Sequence, residues 1–172
     1  ACMAVNFTGP LQLMQAVAPL FRNQSGGHVI NISAAAAITN YPGFAVYGAA
    51  KAALEFASES YRLELAPFGV MVTLVEPGPF RTGFLGRSRK RAAFRIPEYD
   101  ATSGKFGALL EKMDGRQPGD PDKAAAIIVE MVHAGRAPLR LTLGRYAFSK
   151  ARGAAAQRLR ELDEWESTAS AT

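Results

Sequence analysis

The sequence predicts an α/β fold of the doubly wound kind built on a parallel sheet, and three observations carry that prediction. Two short apolar runs, His28-Val29-Ile30-Asn31-Ile32 and Val70-Met71-Val72-Thr73-Leu74-Val75, are rich in β-branched residues and bounded by glycine, proline or small residues. Runs of this kind are strands buried on both faces. Between them, residues 47–67 repeat apolar positions at helical spacing. Strand, helix, strand is the unit from which doubly wound sheets are made.

The elements follow in order. Over residues 6–21, Phe7, Leu11, Met14, Val17, Leu20 and Phe21 recur at three- and four-residue steps, a helix with one buried stripe that ends at Gly26-Gly27. The first strand leads into a loop containing Pro42-Gly43. In the long central helix Ala50, Leu54, Ala57, Tyr61 and Leu65 are in register, with Ala49, Ala53 and Phe56 widening the stripe. So many alanines imply close packing against a sheet or a second helix. The second strand stops at Pro77-Gly78. Residues 79–118 show weak periodicity and one short helix near 106–113, the pattern of a functional lid or of a disordered loop. Asp120-Pro121 is an N-cap acceptor followed by proline at the first helical position, and the helix it starts runs to Gly135. Leu139-Arg140-Leu141-Thr142-Leu143 alternates like a strand with one wetter face, residues 146–165 are helical, and 167–172 should fray.

At 172 residues the chain has the length of one domain. It divides into a part bearing the chemistry, 1–82, a lid, 79–118, and a helix-strand-helix, 119–166. With 48% apolar and 20% charged residues it reads as an ordinary globular protein, neither disordered nor fibrous. Much of the formal charge of +5 lies in Arg87-Ser88-Arg89-Lys90-Arg91, a run without interleaved aromatics or a nucleic-acid-binding motif around it, so no nucleic-acid partner is expected. The single cysteine, Cys2, excludes an internal disulfide and has no histidine or thiol at metal-ligand spacing; no metal site is expected, and a reducing cytoplasm fits. No apolar stretch approaches the ~20 residues that span a bilayer, and no leader pattern is present, so neither is a membrane partner expected.

Tyr47-Gly48-Ala49-Ala50-Lys51 places a phenol and an ammonium four residues apart on one face at the start of a helix. A free phenol titrates near pH ~10, too high for a base at neutral pH, and a cation held close favours the phenolate. The pair by itself is common on solvated helix faces. Its surroundings are more telling: Asn31-Ile32-Ser33 at a strand end, the Pro42-Gly43 loop, the Tyr47/Lys51 helix, a second strand, then Glu76-Pro77-Gly78-Pro79-Phe80-Arg81-Thr82.

In that order these pieces resemble the classical short-chain dehydrogenase/reductase family, closely over residues 6–82 and more loosely to Trp165. Asp120-Pro121 and Leu139-Arg140-Leu141-Thr142-Leu143-Gly144 look like a hydroxysteroid- or retinol-dehydrogenase-like subgroup. The resemblance implies a Rossmann-like doubly wound sheet and an NAD(P)-dependent oxidoreductase that interconverts an alcohol and a ketone or aldehyde, here a hydrophobic one, with NAD or NADP as cofactor. It implies that Tyr47 is the general acid/base, that Lys51 lowers its pKa and holds the nicotinamide ribose, and that Asn6 orders a water-linked proton path. Asn6 read by itself is equally a helix N-cap. Tyr47, Lys51, Pro77, Gly78, Phe80 and Thr82 would bind the cofactor, the glycine letting backbone approach it. Phe80, Phe84, Leu85, Phe94 and Tyr99 would line the substrate side of the lid, and a homo-oligomer is expected.

Two departures stand beside the resemblance. The family's substrate-orienting serine usually lies thirteen residues before the tyrosine, where this chain has Ala34; Ser33 is one residue early. Either the loop is longer by one residue and Ser33 reaches the substrate oxygen, or the hydroxyl is missing and Tyr47 polarises it alone. The chain also holds no Gly-x-x-x-Gly-x-Gly turn and no Asn-Asn-Ala-Gly strand end, so the expectation is the second half of the sheet only, with roughly a hundred N-terminal residues and their strands, including the pyrophosphate-binding helix start, absent. A truncated relative that acts only through helix-mediated association is the alternative such a chain leaves open.

Overall fold

The structure, a computed structural model, describes residues 1–90 and 94–171. Three parallel strands form one sheet in the order β1 (Gly27–Ile32), β2 (Val70–Pro77), β3 (Arg140–Leu143). β1 and β2 pair from Gly27 with Val70 to Ile32 with Val75, and β2 and β3 from Leu74 with Arg140 to Pro77 with Leu143. This is half of a doubly wound sheet. β2 is central, and Val72, Thr73, Leu74 and Val75 are fully buried, which is why its sequence is apolar without alternation.

A π-type turn over Ala4–Thr8 leads into α1 (Gly9–Asn23). The central helix α3 (Ala45–Leu65) lays Ala50, Leu54 and Ser58 against β2, and Ala50 is wholly buried. A 3-10 turn over Ala66–Phe68 ends at Gly69 with φ +70, where a Cβ would stand 2.9 Å from the Ser25 carbonyl oxygen. Only glycine meets both conditions, and the turn delivers the chain from α3 directly into β2. The segment after β1, expected as a loop, contains the short helix α2 (Ala35–Ile38). Its four residues carry no polar N-cap, and it forms because Ala35 and Ala36 are buried against α3 and α6.

Residues 79–118 hold short helical turns over Pro97–Tyr99 and Asp100–Gly104 and then α4 (Lys105–Met113). Within the basic run, Arg89 is spoken for: it pairs with Glu111 at 3.3 Å and donates to the Gly107 carbonyl. Arg91 lies outside the described residues. α5 (Pro121–His133) is capped by Asp120, whose carboxylate accepts from the amides of Asp122 and Lys123. The last helix, α6 (Arg145–Ala169), buries Ala147 beside Gly78. Among the described residues no helix is long and apolar enough to cross a membrane.

Candidate active site

The C-terminal ends of β1 and β2 open onto a cavity of about 580 Å³. Its wall includes Asn6, Ser33, Tyr47, Lys51, Pro77, Gly78, Phe80 and Thr82, so one cavity gathers the residues that the sequence offered as catalytic or cofactor-binding. The parallel strand-helix-strand crossover does this, since the helix that returns the chain starts at the edge where both strands end.

Tyr47 stands in the first turn of α3 and Lys51 one turn on. The Lys51 ammonium donates to the carbonyl of Ile32, the last residue of β1, at 2.7 Å, which anchors the helix start to the strand end. Burial pushes the Tyr47 phenol up to about 12, and the Cys2 thiol nearby adds to the rise. Burial lowers Lys51, a shift the same thiol opposes. With burial the leading cause of the rise, Tyr47 holds its proton at neutral pH.

Asn6 is no N-cap. It sits inside the π-type turn and its amide donates back to the Cys2 carbonyl at 3.1 Å. The hydroxyl of Ser33 gives its one proton to the buried carboxylate of Glu55, and its backbone amide donates to Val75. Thr82 accepts weakly from the Phe84 amide. Gly78 packs closely within the protein: its amide donates to Leu143 at 2.9 Å, and a Cβ there would rest in ordinary contact with the Ala147 amide nitrogen at 3.4 Å. The Pro79–Arg81 backbone is clamped to Gly119 by two hydrogen bonds of 3.0 Å, with the Phe80 ring lying where a Gly119 side chain would be.

Above Tyr47 the cavity is aromatic. Phe44 meets Tyr47 edge-on at 5.5 Å and Phe106 at 5.2 Å, Tyr41 stacks on Phe106 at 4.9 Å, and Phe84 lies 5.5 Å from Tyr47. Tyr41 and Tyr146 share a hydrogen bond of 2.7 Å, and the Lys150 ammonium sits 3.4 Å over the Tyr41 ring. Of the lid residues expected here, Phe80, Phe84 and Leu85 line the cavity; Phe94 and Tyr99 are solvent-exposed and stand off its wall. In their place α4 supplies Phe106, Leu109, Leu110 and Met113. Their spacing is that of one helix stripe, which sequence can show to be apolar without showing what it faces.

Residues 1–93 match the family model described as short chain dehydrogenase. The chain is 34% identical over 164 residues to oxidoreductase BOA17 of Botryotinia fuckeliana, covering 95% of this chain and 59% of that one. A crystal structure of a short-chain dehydrogenase from Streptomyces avermitilis superposes with a TM-score of 0.89 at 38% identity, covering 99% of this chain and 61% of the other. A short chain dehydrogenase from Burkholderia cenocepacia, solved in complex with NADP, matches at a TM-score of 0.59 and 28% identity over 94% of this chain and 56% of its own. The chain thus spans about three fifths of the length of these relatives. With its parallel half-sheet and the Tyr47/Lys51 helix over the strand ends, it belongs to the short-chain dehydrogenase family.

Proposed function

We propose that this chain forms the proton-transfer and substrate-binding part of an NAD(P)-dependent oxidoreductase acting on a hydrophobic alcohol/ketone or alcohol/aldehyde pair. The observation that carries the reading is the half-buried Tyr47 phenol in the wall of an aromatic cavity, with Lys51 one turn away and tied to the end of β1.

The residues present fit the nicotinamide end of such a cofactor. Lys51 and the Thr82 hydroxyl offer donors, and the Pro77–Phe80 backbone, held rigidly by Leu143 and Gly119, offers a flat wall. The chain has no glycine-rich turn of its own for a pyrophosphate. When bound, the dinucleotide supplies or accepts the hydride. The complex of the Burkholderia relative with NADP supports this assignment.

Tyr47, which is protonated at neutral pH, gives its proton to the carbonyl oxygen in the reducing direction. With the Ser33 proton already committed to Glu55 and Ala34 lacking a hydroxyl, polarisation of the substrate oxygen rests on Tyr47. Lys51 orders the site and supplies positive charge as the phenolate forms. The exposed apolar side chains of Leu13 and Leu20 on α1 and of Phe56 and Leu63 on α3 support self-association of the chain.

The test is titration of this chain with NADH and NADPH, following fluorescence and thermal stability, because a ligand that binds only the folded state raises that stability. Saturable binding weakened by Lys51→Met is the expected result. A folded chain that binds neither dinucleotide overturns the reading and leaves association with another chain as its role.

A further inference from the structure

The body of the protein supports α6 over only part of its length. Ala147 is wholly buried and Ala151 and Ala154 are half-buried, but every residue from 155 to 170 is exposed, so the second half of this 25-residue helix stands clear. Leu159, Leu162 and the sole tryptophan, Trp165, follow one another there at three-residue steps and are 60%, 52% and 59% exposed. Such spacing puts them on one side of the helix. Helices in proteins draw most of their stability from packing of an apolar face, and this one is left to water.

The charges of α6 also run against its own dipole. Its basic residues, from Arg145 to Arg160, all precede its acidic ones, from Glu161 to Glu166. A helix dipole favours acids in the first turn and bases in the last, and α6 has neither. Arg158 and Glu161 approach to 3.8 Å across one turn, an exposed contact of little worth. A second helix of the same sequence laid antiparallel answers both features at once. It sets an acidic half along a basic half at each end and opposes the two dipoles, whereas a parallel copy sets like charge beside like.

We propose that the free end of α6 is a docking surface for a second copy of this chain, the two helices lying antiparallel about a two-fold axis between Leu159 and Leu162. In that register Leu159 of one copy lies against Leu162 of the other, and Trp165 lies alongside Ala154-Ala155-Ala156, whose short side chains leave room for an indole. The overlap, residues 155–166 or about 18 Å of helix, uses only the part of α6 that the body leaves exposed. A contact this short belongs with the weak interfaces, so the dimer dissociates in the micromolar range. The surface is separate from the apolar side chains of α1 and α3 and does not depend on what the cavity binds.

Trp165 reports the contact directly, since the chain has no other tryptophan. The expected result is a blue shift of its emission as the chain is concentrated, in step with dimer formation by sedimentation equilibrium and reversed by high salt. Leu162→Lys should weaken the dimer roughly tenfold or more, as it takes an apolar side chain from both sides of the contact. Arg158→Glu with Arg160→Glu, and Glu161→Arg with Asp163→Arg, should each associate several-fold more weakly alone and regain the unaltered affinity when mixed, one chain then carrying an acidic helix and the other a basic one. All these positions are exposed, so the variants keep the fold. Association that leaves the Trp165 emission unmoved runs through another face, such as α1 or α3, and overturns the proposal. So does a chain that stays monomeric, whose stripe then takes a different partner or none, and so does a shift indifferent to the charge reversals, which would exclude antiparallel pairing.

Discussion

At the scale of single residues, the site is governed by desolvation. Tyr47 has been taken from water, and the cost falls on its charged form, so the hydroxyl stays protonated. Because its folded pKa is raised, it favours folding below the phenol's ordinary value and loses that contribution as pH climbs toward about 12. The same effect acts with opposite sign on Lys150, whose ammonium rests on the Tyr41 ring at the rim of the cavity and is pushed down to about 8 by burial. A base with a lowered pKa binds fewer protons when folded than when unfolded, so its drag on stability lifts as pH rises from about 8 to the usual lysine range. We expect the Lys150 resonance in isotope-labelled, reductively methylated protein to titrate near pH 8, with Lys150→Arg removing it. A midpoint in the ordinary lysine range would show the ammonium to be fully hydrated. That Tyr47 and Lys51 share a helix face was legible in the sequence because helical spacing sets it, and the flanking strand ends gave the pair its weight. The state of the pair was not, since burial of the phenol comes from residues far along the chain, among them Phe84.

At the scale of elements, strands and helices were legible wherever one simple period ran through them. β2 is apolar along its length because both faces are covered, and α5 announces itself through Asp120 and Pro121. α2 was not legible: it is made by its neighbours, with no signal of its own. The loop before α3 shows how an element shapes the site. Asn40 donates to the Phe44 carbonyl, and its carboxamide lies only 2.4 Å from where a Cβ on Gly48 would be. The bare face at Gly48 lets residues 40–44 fold over the helix start, which sets Phe44 beside Tyr47 and Tyr41 beside Phe44. Since the obstructing atoms are the end of a side chain, Gly48→Ala is accommodated by swinging Asn40 away. Alanine also has the better helix propensity, by about 1 kcal/mol. The expected outcome is little loss, or a small gain, in stability by urea denaturation, with several-fold weaker binding of an aromatic or fused-ring ketone. A variant that binds such a ketone as tightly as before would separate the loop from the site.

At the scale of the whole molecule, one charge network joins everything that surrounds the strand ends. Arg140 at the start of β3 pairs with Glu55 of α3 at 3.4 Å, with Glu76 of β2 at 3.3 Å, and with Glu59. Glu55 receives the Ser33 hydroxyl from just beyond β1, and Thr142 donates to Glu76 at 2.8 Å. Sequence showed each of these residues but not their meeting, because Glu55 and Arg140 lie 85 positions apart. Burial raises the Glu55 carboxyl above the usual carboxylate range, the Ser33 hydrogen bond and Arg140 pull it back, and Glu76 raises it again. In Arg140→Met the restraint from arginine is gone, so the folded-state pKa of Glu55 climbs further. A carboxyl raised in this way contributes stability that is present below its unfolded value and is lost as pH rises through the folded one. The variant should therefore lie nearest the unaltered protein at about pH 4.5 and fall away toward neutrality. Breaking a buried pair costs about 3–5 kcal/mol. The Arg140 side chain keeps 40% of its surface, which lowers the expected loss at neutral pH to about 2 kcal/mol. Urea denaturation across this pH range reads the loss directly. A deficit that stays constant with pH would mean that Arg140 acts through packing of its aliphatic stem, and that the carboxylates of Glu55 and Glu76 are held by other means.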